Sequence, residues 1–100
     1  QIDQFLPRGA CEHFSAYVVR MKPNQIKKNS YHKKGEELYY VLSGAGKALL
    51  GGKDYKIREG CFFRVPPGIA HQFTTGGESL CMLNFHSPPV FNDKDTYFIE

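Results

Sequence analysis

Ser30-Tyr31-His32-Lys33-Lys34-Gly35-Glu36-Glu37-Leu38-Tyr39-Tyr40-Val41-Leu42-Ser43-Gly44 and Gly60-Cys61-Phe62-Phe63-Arg64-Val65-Pro66-Pro67-Gly68-Ile69-Ala70-His71 are the two halves of one pattern. Leu38 to Leu42 is apolar at both parities, as a strand buried on two faces would be. Pro66-Pro67-Gly68 forces a tight bend, because proline fixes φ and glycine permits a positive one. His71 enters a strand straight after that bend, a rigid support of the kind that precise side-chain placement needs. Ser30 and His32 lie two apart on a strand and therefore share a face. After the short Lys33-Lys34-Gly35 loop, Glu37, Tyr39 and Val41 share one face and Glu36, Leu38 and Tyr40 the other. Parity leaves open which glutamate points inward.

Outward from these halves the chain reads as short strands and turns. Phe14 to Met21 is rich in β-branched and aromatic residues and closes at Pro23-Asn24, and Ile26 to His32 reads as the next strand. Gly44-Ala45-Gly46 is expected to turn the chain before a strand over Lys47 to Leu50. Gly51-Gly52 is a strong hairpin signal, answered by Lys53 to Ile57. Cys61 to Val65, His71 to Thr75 and Ser79 to Phe85 follow, separated by Gly and Pro punctuation. Residues 1–13 read as an irregular lead-in with one short strand, and the tail from Val90 as extended. No ten-residue segment has helical periodicity. About eight short strands with turn signals every ~8–12 residues spell an all-β sandwich or barrel.

One hundred residues make one domain, spanning 1–100 with a core over about 14–87. So small a chain buries a modest share of its surface, and a homodimer is expected. Hydrophobic content of 41% with 23% charged residues is that of a globular chain. A net charge of +3 is too small to argue for nucleic acid. The basic residues of 1–34 are solvated strand edges, or they attract an anionic small molecule to a pocket mouth. Cys11, Cys61 and Cys81 form no Cys-x-x-Cys pair, which argues against a disulfide framework or a structural zinc and favours a reducing compartment. No apolar run reaches the ~20 residues that span a bilayer. The chain opens at Gln1 without Met or a signal-like segment, as a trimmed chain does, and the cytoplasm is the expected location.

Histidine nitrogen and carboxylate oxygen suit a divalent transition metal, whereas calcium would want more oxygens. The two halves resemble the motifs of the cupin superfamily, specifically its small single-domain members. That family's first motif has two histidines one residue apart, three or four residues, a glutamate, six residues and a glycine. His32 stands as the second histidine, Glu37 follows after four residues and Gly44 after six more, so the motif selects Glu37 over Glu36. The second motif is matched by Gly60, Pro66, Gly68 and His71, with Thr75 where an asparagine would stand. Ser30 departs from the pattern, occupying the place of the first metal histidine.

The resemblance implies a double-stranded β-helix, or jelly-roll barrel. It also implies His32, Glu37 and His71 as ligands of a metal, Fe(II) foremost and Mn, Ni, Zn or Cu otherwise. Two histidines and a carboxylate are the ligand set of non-haem iron enzymes. The function it implies is a metal-dependent enzyme on a small organic substrate, a dioxygenase or a related decarboxylase or isomerase. Tyr39 is an acid–base candidate, and Ser30 a holder of water or substrate. Arg64, Phe73, Met82 and His86 are pocket candidates, Arg64 because a buried guanidinium must find a partner such as a substrate carboxylate. The alternatives are a non-catalytic cupin that binds a small molecule or dimerises, and a metal-free sugar isomerase or epimerase working by proton transfer. Glycine pairs between strands with no helix after them are not phosphate loops.

Overall fold

The computed structural model describes residues 2–6, 14–27, 29–88 and 96–98, with only the backbone described at 2–6, 32 and 96–98. Among the described residues nine strands follow one another: β1 (Ile2–Leu6), β2 (Ser15–Met21), β3 (Ser30–His32), β4 (Glu36–Leu50), β5 (Lys53–Arg58), β6 (Phe62–Val65), β7 (His71–Thr74), β8 (Leu80–Ser87) and β9 (Thr96–Phe98). Among the described residues there is no helix, and the strand pairings are antiparallel. One sheet runs β1-β2-β8-β4, with β6 on the far edge of β4, and the other runs β4-β7-β3-β9, with β5 also on β4. The all-β, double-stranded β-helix expectation is met.

β4 belongs to both sheets, and this corrects the expected turn at Gly44-Ala45-Gly46. The chain does not reverse there. Its register on β8 slips between Val41 and Ser43, Gly44 takes φ +85°, and the strand bends from one sheet into the other. A bulge bends a strand and raises its twist without ending it. The Gly51-Gly52 turn then joins β4 to β5 as expected. Ile26 to His32 is also corrected: only Ser30–His32 forms the strand, while Ile26 makes an isolated bridge to Thr74.

Along β8 every second residue is buried, namely Leu80, Met82, Asn84 and His86. That is the period of a strand with one face on a core. The same row changes character along its length, from apolar to polar, and its neighbours do likewise. Opposite Met82 lie Val19 and Val41, whereas opposite His86 lie Ser15 and Glu37. The barrel interior thus has an apolar end, packed around Val19, Val41, Leu80 and Met82, and a polar end of Ser15, Ser30, Glu37, His71 and His86. Phe73 and Tyr39, 0% and 1% exposed, fill the space between with ring centroids 4.9 Å apart. Each such aromatic contributes about 1.5–3 kcal/mol by leaving water.

Candidate active site

Cross-strand partners put their side chains on the same face of a sheet, and this rule assembles the polar end. Ser30 of β3 pairs with His71 of β7, and Glu37 of β4 pairs with His86 of β8. The two sheets then face each other across the interior. His71 Nε2 lies 2.9 Å from Glu37 Oε2, with each side chain 6% exposed. The bend before His71 is closed by the Ile69 N–H donating to the Pro66 carbonyl at 3.3 Å. Ser30 is buried beside them. The side chain of His32 lies outside the described residues, and its backbone pairs with Thr96.

A carboxylate oxygen and an imidazole lone pair repel at such a distance, so a positive centre must sit between them. That centre is a proton on Nε2 or a metal ion. The Nδ1 side of His71 faces the Ile69 carbonyl at 3.4 Å, which turns Nε2 toward Glu37. The 2.9 Å separation is that of a charge-assisted hydrogen bond, and a carboxylate oxygen and an imidazole nitrogen are also donor types suited to a divalent transition metal. Among the described residues no group of three His, Cys, Asp or Glu side chains is placed to hold a metal.

Tyr39 stacks on Phe63 at 5.2 Å and is tilted on His71 at 6.4 Å. Burial pushes its hydroxyl well above the usual tyrosine range, and the Glu37 charge and a hydrogen bond to Glu37 add to the rise. The hydroxyl therefore keeps its proton and donates it to the carboxylate. An unfolded tyrosine ionises near 10. Above that pH the unfolded chain has lost a proton that folded Tyr39 retains, so stability falls as pH rises, and below about 10 the contribution is present in full. The metal-free chain is expected to lose more stability between about pH 9 and 11 than its Tyr39→Phe variant does, by urea midpoints. Equal losses would show that Tyr39 is not the residue responsible.

His86, 4% exposed, holds its Nδ1 2.9 Å from the Pro88 carbonyl. A carbonyl only accepts, so Nδ1 carries the proton and, in the neutral ring, Nε2 carries the lone pair. A Cβ at buried Gly35 would run into the ring of His86, which is why the loop before β4 holds a glycine there. Asn84 donates to the Leu38 carbonyl at 3.3 Å. Phe73 and Met82, both 0% exposed, are core residues of the interior.

Arg64 is a correction. Its neighbour Val65 points inward at 2% exposed, so Arg64 points out, and its Nε donates to Glu36 Oε2 at 2.6 Å on the outer face of β4 and β6. It meets a carboxylate of this chain instead of lining the pocket.

The motifs name Thr75 only as the residue that stands in place of an asparagine, and they do not reach Lys27. Thr75 Oγ1 accepts the Gln25 N–H at 2.9 Å, and its own N–H donates to the Gln25 carbonyl at 2.9 Å, so the motif's last position ties down the loop before β3. Lys27 is half-buried. Burial pushes its ammonium below the usual lysine range, and the Glu37 charge opposes that.

Residues 17–86 match the family model described as a cupin domain. The chain is 27% identical over 82 residues to the polyketide synthase CurC of Streptomyces cyaneus, covering 82% of this chain and 53% of CurC. It spans about half the length of the curated relatives it matches. Among solved structures it is similar to the polyketide cyclase RemF of Streptomyces resistomycificus, with TM-score 0.78, 24% identity and coverage of 94% and 72% of the two chains. It is also similar to a variant of Streptomyces PAC13 with uridine, with TM-score 0.82, 20% identity and coverage of 99% and 78%.

Proposed function

The chain belongs to the cupin family, and on that premise we propose that it is an enzyme performing metal-assisted proton transfer on a small organic substrate, as a cyclase, isomerase or decarboxylase does. The observation that supports this most is the buried Glu37 carboxylate 2.9 Å from His71 Nε2, at the polar end of an otherwise apolar barrel. His32, Glu37 and His71 would hold a divalent transition metal, Fe(II), Mn, Ni, Zn or Cu. When bound, such an ion supplies Lewis-acid polarisation of a substrate oxygen. Ser30, in register with His71, has a hydroxyl suited to binding substrate or water. Tyr39 orients the carboxylate and stays a donor. His86, with Nδ1–H engaged by Pro88, presents a lone pair on Nε2 suited to take a proton from substrate. The polyketide cyclase among its structural neighbours favours chemistry of this non-redox kind. The non-haem dioxygenase is the second reading, favoured by the ligand composition of two histidines and one carboxylate. A non-catalytic binding module is disfavoured, since ionisable groups buried together are more typical of reactive sites.

Metal-free chain titrated with Mn(II), Ni(II), Zn(II) and, anaerobically, Fe(II) is expected to take one ion per chain by calorimetry. His71→Ala is expected to abolish this. Coordination needs deprotonated ligands, so the ion should be lost on acidification to about pH 4. No binding of any of the four would overturn the metal part of the proposal. Retention at about pH 4 would count against these ligands. The homodimer is part of the same proposal, and sedimentation equilibrium checks it.

A further inference from the structure

Lys27 stands where sequence parity would not place it. Counting back from inward Ser30, Ile26 should point inward and Lys27 outward. The structure reverses this. Ser30 pairs with His71 while Ile26 bridges Thr74, so four steps on one strand face three on the other, and a one-residue slip lies between. Ile26 is left 73% exposed. The Lys27 N–H donates to the Phe73 carbonyl at 2.8 Å, which sets Lys27 cross-strand from Phe73. Phe73 is wholly buried inside the barrel, and cross-strand partners share a face.

The segment carrying Lys27 is fastened along its length. The Asn24 N–H donates to the Gly76 carbonyl at 2.9 Å, the Thr75 N–H to the Gln25 carbonyl at 2.9 Å, and the Gln25 N–H to Thr75 Oγ1 at 2.9 Å. The Lys22 N–H donates to Gln25 Oε1 at 2.8 Å. Phe73 is in turn 6.2 Å from the ring of His71 and 4.9 Å from that of Tyr39. The lysine stem therefore leaves the backbone on the face that carries Phe73, and the Glu37 charge opposes the lowering that burial imposes on its ammonium. A cation carried on the inner face of a barrel is costly without anionic neighbours.

Resting on the reading of the barrel interior as a substrate site, we infer that Lys27 is a specificity-determining residue that binds a carboxylate of the substrate, so that the site takes small organic acids over their neutral analogues. Charge-assisted hydrogen bonds of this kind are about twice as strong as neutral ones. The probes are benzoate and its near-isostere benzamide, titrated into metal-free chain and followed by amide chemical shifts. Benzoate is expected to bind at least about tenfold tighter than benzamide, the discrimination that ~1.4 kcal/mol gives. Lys27→Met should lower benzoate to the level of benzamide and leave benzamide unchanged, and Lys27→Arg should restore the preference. Equal affinities in the parent chain, no saturable benzoate binding at millimolar concentration, or a preference that survives in a folded Lys27→Met chain would each overturn the inference. Metal stoichiometry of Lys27→Met is a separate readout. Unchanged metal binding with lost benzoate preference supports the inference, while absence of metal binding in the parent chain strikes only at the metal reading.

Discussion

Gly44→Ala is expected to destabilise the chain by about 2–5 kcal/mol, the sum of two effects at one atom. Gly44 has φ +85°, where an L-residue costs about 1–2 kcal/mol. A Cβ there would also overlap the Ser79 carbonyl, with Leu80 Cα only 3.1 Å away. Both are backbone atoms of the chain beside β4, so relief needs the β4–β8 ladder to shift. Overpacking of that kind adds about 1–3 kcal/mol. A domain whose whole stability is about 5–15 kcal/mol would feel this severely. Gly52→Ala is the control. Its φ is +86° but nothing lies within 4 Å of the added Cβ, so it should show the conformational cost alone. Urea midpoints of the two variants separate the effects, and equal midpoints would mean that the bend of β4 does not depend on close approach at Gly44.

The reach of the sequence can be judged at the same residue. The spacing from His32 through Glu37 to Gly44 selects the glutamate that lies inside: Glu37 is 5% exposed, whereas Glu36 pairs with Arg64 on the outer face. Local spacing also placed His71 after its bend and the hairpin at Gly51-Gly52. What it could not give was register. A glycine with positive φ ends a strand in one context and bends it in another, and the choice depends on whether a partner continues alongside. β8 does so here, from Glu36 through Gly44 with one slip. Arg64 was misread for a related reason. Parity on a four-residue strand has no fixed phase until the strand finds its partners, here Leu38 opposite Arg64 and Glu37 opposite Val65. The slip between Ile26 and Ser30 hid Lys27 in the same way, and only tertiary pairing brings His86 level with Glu37 from far along the chain.

In the metal-free chain, Glu37→Ala and His71→Ala are expected to be strongly non-additive. Removing one partner of a buried charged pair leaves the other desolvated, at a cost of about 3–5 kcal/mol. Once His71 is gone the Glu37 carboxylate has already lost its His71 partner, so removing it next costs less. The interaction energy in the double-mutant cycle should be about 1.5–3 kcal/mol, the range for a hydrogen bond to a charged group. Chemical denaturation of the four chains at neutral pH measures it. Both single variants should also lose metal by more than the ~100-fold that even outer-sphere changes produce, and metal affinity in the double variant should be no worse than in either single one. These outcomes have one cause: a carboxylate and an imidazole held against each other in the interior are costly to fold around and ready to ligate. Strict additivity, with coupling near zero, would place the two side chains apart in solution. The fold would stand in that case, but the site would not.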